Sequence, residues 1–260
     1  MNGEQPMLIV ERPEDHVLLI RLNRPEKRNA LATDLLGAVA DALDAAELDE
    51  DLRCAVITGS DRFFAAGADI NELATRATAG ALCDPRPAIW GRIRNFAKPL
   101  VAAVEGWSLG AGNELVMCCD LVIAGASAKF GQPESNLGIV PGAGGTALLP
   151  RLVGRSRAMR MVLLGDPLSA EEARVAGLVT ELVEDGTALS AALAMATRLA
   201  GRAPLAMRQG KALVKASFEM PLSAHLGMER QGFAALFGTA DKVEGVSAFL
   251  EKRVARWQGT

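Results

Sequence analysis

The chain has 260 residues, half of them hydrophobic, 4% aromatic and none of them Tyr, and its formal net charge is -3. That length suits one substantial domain, or one domain with a small appendage, and the acidic balance gives no electrostatic reason to expect nucleic acid or an anionic membrane surface as partner. No stretch approaches the roughly 20 apolar residues of a membrane span. The amino-terminal segment carries Glu4, Glu11, Glu14 and Asp15 without a continuous apolar run, so no signal peptide is read there. A soluble, cytoplasmic protein is expected. Cys54, Cys83, Cys118 and Cys119 form no Cys-x-x-Cys, and with only His16 and His225 beside them no zinc constellation and no bound metal are expected. The thiols read as buried cysteines of a reducing compartment.

In chain order, short apolar β-rich runs fall at Met7–Val10, Val17–Leu22, Cys54–Thr58, Leu100–Val104, Leu121–Ala124 and Leu178–Val183. Helical patterns separate several of them. Thr33 is read as an N-cap before Leu35, Leu36, Val39, Leu43 and Ala46, which recur at helical spacing. Ser169 with Glu172 forms a capping box ahead of Ala173 and Ala176, and Gly177 is a suitable stop. Strands alternating with helices indicate βαβ units and largely parallel pairing. After about Thr187 the pattern becomes helical throughout: Leu189–Leu199, Leu205–Phe218, Leu222–Phe237 and Val243–Val254, separated by Pro204, Pro221 and Gly238. The expected organisation is an α/β core over 1–195 and a helical region over 196–260 that packs on the core or on another subunit.

Gly and Ala cluster in four loops: Phe64-Ala-Ala-Gly-Ala-Asp69, Gly106-Trp-Ser-Leu-Gly-Ala-Gly112, Phe130-Gly-Gln-Pro-Glu134 and Pro141-Gly-Ala-Gly-Gly145. Taken singly, each is most simply a tight turn. Gly106-Trp-Ser-Leu-Gly110 also fits the nucleophile elbow of a serine hydrolase, with a strand before it and a helix after it. Such an enzyme would need a histidine on a later loop, and the one available, His225, lies in a run that reads as helix. Gly142-Ala-Gly-Gly-Thr-Ala147 with Asp166 matches a dinucleotide fingerprint, but it begins mid-chain after Pro141 with no strand-and-helix series left to complete that fold. The absence of Tyr removes the proton donor of short-chain dehydrogenases of similar length.

All four loops in this order resemble the crotonase (enoyl-CoA hydratase/isomerase) family. The resemblance runs from Leu22-Asn-Arg-Pro-Glu-Lys-Arg-Asn-Ala-Leu31 through the four loops. It continues through Lys98–Val104, Gly165-Asp-Pro-Leu-Ser-Ala170 and Ala176-Gly-Leu-Val179 to Gly245-Val-Ser-Ala-Phe-Leu-Glu-Lys-Arg253, nearly the whole chain. It implies a spiral of repeated ββα units with a C-terminal helical region that drives trimer formation, two trimers stacking as a hexamer. It also implies reversible hydration of a trans-2-enoyl-CoA, with no redox cofactor and with coenzyme A arriving as part of the substrate.

That chemistry has two needs. The thioester oxygen must be stabilised as it gains charge, and backbone N–H groups aimed at it are worth a few kcal/mol each in a dry site. By resemblance these donors are Ala68 and Ala111, the second a position where much of the family has Gly. A water must also lose one proton while Cα gains another, which suits paired carboxylates. Resemblance places Glu114 as the main activator of water and Glu134 as the proton donor to Cα. It also puts Lys27, Arg28 and the backbone of Ala66–Ile70, including Asp69, against CoA. Gly142 borders the acyl pocket, and Phe249 and Lys252 reach the CoA of a neighbouring subunit. Asn71 stands where the family usually has Lys. The run Asp84-Pro-Arg-Pro-Ala-Ile-Trp90 is similar to hydratases of phenylacetate breakdown, whose acyl chain ends in a carboxylate that Arg86 or Arg92 would meet. Two rivals stand beside hydration: a Δ3-Δ2 enoyl-CoA isomerase of the same family, and a non-catalytic acyl-CoA- or RNA-binding relative. Retention of both glutamates speaks for the hydratase.

Overall fold

The computed structural model describes residues 6–75 and 77–260; Glu4 of the acidic amino terminus lies outside them. The large sheet begins with β1 (Leu8–Glu14) and β2 (Val17–Leu22), an antiparallel hairpin. Helix α1 (Thr33–Leu48) then leads to β3 (Cys54–Thr58), and β4 (Phe63–Ala65) follows at once. Three helices come next: α2 (Ile70–Ala74), α3 (Thr78–Leu82) and α4 (Arg86–Asn95). The same unit repeats as β5 (Leu100–Val104), β6 (Trp107–Leu109) and α5 (Ala111–Met117), then as β7 (Leu121–Gly125) and β8 (Lys129–Gly131) before α6 (Gly145–Val153) and α7 (Arg155–Leu164). Each pass thus lays one strand in the large sheet, one in a small sheet, and then a helix. The core closes with β9 (Leu168–Ser169), α8 (Ala170–Ala176), β10 (Glu181–Val183) and α9 (Ala188–Ala200). The chain ends in α10 (Pro204–Ala216), α11 (Leu222–Leu236) and α12 (Ala240–Glu251).

The large sheet has the order β1-β2-β3-β5-β7-β10 and is parallel from β2 onward. Parallel strands need cover on both faces, and alternation in β2 shows how it is provided. Leu18, Ile20 and Leu22 join the main core with Leu35, Leu36, Val39 and Leu43 of α1. Val17 and Leu19 point the other way and pack with Val56, Val101 and Ile123 against Ala192, Ala196 and Ala200 of α9. Alanines at every fourth residue give α9 a flat stripe that lies directly on the sheet. The division at 195/196 therefore falls inside a helix whose two halves cover the same sheet face.

Several boundaries differ from the sequence reading for tertiary reasons. Thr33 is the first residue of α1, not its cap; Ala32 holds that place. Its N–H and hydroxyl donate instead to the Glu72 carboxylate at 2.9 and 2.7 Å. Within Leu178–Val183 only the last three residues are strand, because the N–H groups of Leu178 and Val179 both return to the Ala173 carbonyl and close α8. The capping box of α8 stands as read: Glu172 N–H donates to Ser169 Oγ at 3.2 Å, and Ser169 N–H to Glu172 Oε2 at 2.8 Å. Gly177 ends the helix with φ +98°. Among the described residues no helix is long and apolar enough to cross a membrane.

Candidate active site

The small sheet, order β4-β6-β8-β9, is parallel through β4, β6 and β8. The loops leaving the carboxyl ends of these three neighbouring strands therefore emerge side by side, the usual place for a site in such sheets. They are three of the four Gly/Ala-rich loops: Ala66–Ile70 after β4, Gly110–Glu114 after β6, and Gln132–Glu134 after β8.

The first two loops meet through glycine. Gly67 has φ +113° and Gly110 φ +50°, backbone states that a side chain disfavours. A Cβ built on Gly110 would stand 3.7 Å from Gly67 Cα, so the two turns face each other closely. Each glycine orients the next peptide, that of Ala68 or Ala111. Among the described residues neither of these two N–H groups has a protein acceptor.

Glu114 sits on α5 with 2% of its surface exposed. Its Oε1 accepts from the N–H groups of Ala143 and Gly145 at 2.8 and 2.7 Å, so the fourth loop, Pro141–Gly145, cradles it. Burial raises its pKa; the two N–H groups and, beyond them, the guanidinium groups of Arg94 and Arg86 pull the other way. Glu134 opens a short 3₁₀ turn, Glu134–Leu137, straight after Pro133. Its Oε1 lies 3.0 Å from the Cβ position of Gly110, and its buried Oε2 has no hydrogen-bond partner. Burial pushes its pKa up to about 7, and repulsion from Glu114 adds to the shift. Glu134 thus stands at the Gly110–Ala111 turn with a bare oxygen, close enough to Glu114 to be repelled by it, while Glu114 is firmly held by the fourth loop.

Behind them, the buried side-chain amides of Asn113 and Gln132 pair at 3.2 Å. Ser108 is wholly buried in β6, and His225 lies on α11 with its Nε2 at the Leu213 carbonyl. That removes the serine-hydrolase reading. In the Gly142–Ala147 loop the N–H groups of Ala143 and Gly145, which a dinucleotide phosphate would need, are taken by Glu114.

The residues read as CoA contacts in the 24–31 and 66–70 loops lie together at one edge of this site. Ala66 N–H donates to the Arg28 carbonyl, and Leu31 bridges Ala68 in parallel fashion, tying the 24–31 loop to the 66–70 loop. Asp69 caps α2 by accepting from Asn71 N–H at 3.1 Å and pairs with Arg24 at 3.3 Å. Ile70 is exposed at the start of α2. Lys27 is exposed, and the Arg28 guanidinium stacks over Phe63 beside a surface cavity of about 590 Å³ lined also by Pro25, Ser60 and Arg62. Gly142 faces open space. Phe249 and Lys252 are exposed at the end of α12. Of the two arginines read as partners for a distal carboxylate, Arg92 turns away and binds Asp41 and Asp44 of α1 at 2.6 and 2.7 Å. Arg86 stays near Glu114, paired with Asp84 at 2.7 Å.

A family model described as Enoyl-CoA hydratase/isomerase matches residues 12–260. The chain belongs to this family. It is 48% identical to the 2,3-dehydroadipyl-CoA hydratase of Escherichia coli (strain K12), covering 97% of this chain and 98% of that protein. It is 40% identical to the mitochondrial enoyl-CoA hydratase of Pongo abelii, over 92% of this chain and 83% of that one. A crystal structure of enoyl-CoA hydratase from Bacillus anthracis superposes with TM-score 0.93 at 33% identity, covering 98% of this chain and all of the other. The mixed α/β fold expected from the sequence is that of the enoyl-CoA hydratase/isomerase family. Arg24, Arg94 and Gln132 complete the surroundings of the site and were not singled out from sequence. Arg24 did lie inside the Asn-Arg-Pro run. Arg94 carried no signal, being one of three arginines in a short helix.

Proposed function

We propose that the protein catalyses the reversible syn hydration of trans-2-enoyl-CoA to 3-hydroxyacyl-CoA. The observation that carries this reading is the pair of carboxyl groups in unlike surroundings beside two N–H groups without protein acceptors. In this reading the N–H groups of Ala68 and Ala111 hold the thioester oxygen and stabilise the charge it gains. Glu114, oriented by its cradle, takes the proton of a water that attacks C3. Glu134, protonated near neutral pH, delivers a proton to Cα. Lys27, Arg28, Asp69 and the backbone of Ala66–Ile70 meet CoA, and Gly142 leaves room for the acyl chain. Coenzyme A enters as part of the substrate, and the proposal uses neither metal nor redox cofactor.

An isomerase needs one carboxylate to carry one proton, and a binding-only relative needs neither; a second, differently tuned glutamate favours hydration. Oligomerisation to a trimer, or to a hexamer of two trimers, is part of the proposal, with Phe249 and Lys252 offered to a neighbour's CoA. So is a cytoplasmic location. The name of the Escherichia coli relative supports an acyl chain ending in a carboxylate, for which Arg86 is the remaining candidate. The test follows the enoyl-thioester absorbance with crotonyl-CoA and 2,3-dehydroadipyl-CoA, with product analysis from 3-enoyl-CoA. Hydration with a clear preference for the dehydroadipyl substrate is expected. Equal efficiency on both would end the carboxylate reading, and isomerisation without hydration would end the whole proposal.

A further inference from the structure

The loop that cradles Glu114 is itself held from outside the site. Arg94, in the last turn of α4, donates from Nη1 to the Ala143 carbonyl at 2.9 Å. The N–H of that same residue donates to Glu114 Oε1 at 2.8 Å. Gly144 follows with φ +116°, and Gly145 supplies the second N–H at 2.7 Å. Arg94 Nη1 lies 3.8 Å from the Cβ position of Gly144, so the guanidinium runs along the bend. The Cys118 thiol, one turn beyond Glu114 at the carboxyl cap of α5, lies beside the same guanidinium. The end of α4 is anchored in turn by α10, where Lys215 Nζ donates to the Arg94 carbonyl.

We infer that Arg94 is a positioning residue for the acid/base pair: it locks the 143–145 turn so that both N–H groups meet Glu114, and it sets a positive charge behind that carboxylate, which reserves the base role for Glu114 and the acid role for Glu134. The inference rests on the hydration reading above.

The charges around Glu114 support this division. From α4 come Arg86 and Arg94, from the 3₁₀ turn Glu134, and from α5 the neutral Cys118 thiol, which burial holds at about 12. Arg86 is paired with Asp84 at 2.7 Å, which cancels much of its field. Among the described residues Arg94 makes no ion pair. Around Lys215, which donates to the Arg94 carbonyl, lie Lys211 of α10 and Asp120 beyond α5, and these two pair at 2.6 Å. Burial disfavours charge on Lys215. Arg94 is thus the principal uncompensated cation near Glu114. Glu134 has no counterpart, only the repulsion of Glu114. An opposite charge at short range favours ionisation of a carboxylate, and removing it moves the pKa up.

The experiment is the pH dependence of crotonyl-CoA hydration by the parent, Arg94→Met and Arg94→Lys, with melting temperatures alongside. Arg94→Met should lower kcat about tenfold at neutral pH, leave KM within about twofold because CoA is held elsewhere, and move the acidic limb of kcat/KM upward by about half to one pH unit. Arg94→Lys keeps the charge and should recover most of both. An acidic limb that stays in place in Arg94→Met would overturn the inference. So would equal damage in both variants that tracks a loss of melting temperature, which is a packing role alone. A parent that hydrates normally while the limb stays put overturns only the role of Arg94; a parent without hydration overturns the underlying reading as well.

Discussion

Glu114 and Glu134 are chemically identical side chains made unlike by a few backbone groups. Both lose water on folding, which alone would raise both pKa values. Glu114 receives two N–H groups in return, while Glu134 keeps an oxygen without a partner. Pairs whose environments push their titrations apart are how one pocket holds an acid and a base at one pH. The cradle depends on a residue with no side chain. A Cβ on Gly145 would collide with the Gln132 amide, stand 2.7 Å from Pro141 Cβ and 3.1 Å from Glu114 Oε1. Gly145→Ala should therefore shift the turn and cost roughly 10²-fold in kcat/KM with the circular dichroism of the fold retained. Activity within twofold of the parent would mean that the cradle does not matter to the reaction.

At the scale of elements, the large sheet was readable because its inner strands are continuous apolar runs of four to six residues. Cys54–Thr58 and Leu100–Val104 coincide with β3 and β5. The small sheet was not readable. Its strands are two or three residues long, too short for any periodicity, and only the glycines at their ends stood out. Those glycines sufficed to point to the loops, and resemblance supplied Glu114 and Glu134. That the loops converge follows from β4, β6 and β8 lying in parallel register, which no local pattern encodes. The same limit explains Thr33 and Arg92. Their partners, Glu72 for the first and Asp41 and Asp44 for the second, lie about forty to fifty residues away and redirect side chains that look free in sequence. The fourth loop bends through Ala143 and Gly144 before α6 starts at Gly145, and spends its amides on Glu114.

Across the whole molecule, the carboxyl-terminal helices leave a broad apolar face uncovered. Leu222, Leu226, Phe233, Phe237, Val246 and Phe249 are all about half exposed or more, and the Phe233 and Phe237 rings meet at a 59° tilt with centroids 4.8 Å apart. Apolar surface of this extent marks a protein–protein contact. Sedimentation at micromolar concentration should report a trimer or a hexamer. A stable monomer would contradict this and would leave Phe249 and Lys252 beyond the reach of any CoA. The account stands or falls on the division of labour between two glutamates. Its most direct test is the pH profile of kcat/KM for crotonyl-CoA hydration in the parent, Glu114→Gln and Glu134→Gln. The parent should give a bell, with the basic limb near the value of about 7 that burial sets for Glu134 and the acidic limb above the ordinary carboxylate range. Each variant should retain about 1% of parental activity or less, with Glu114→Gln losing the acidic limb and Glu134→Gln the basic one. An unchanged bell in either variant would contradict the account.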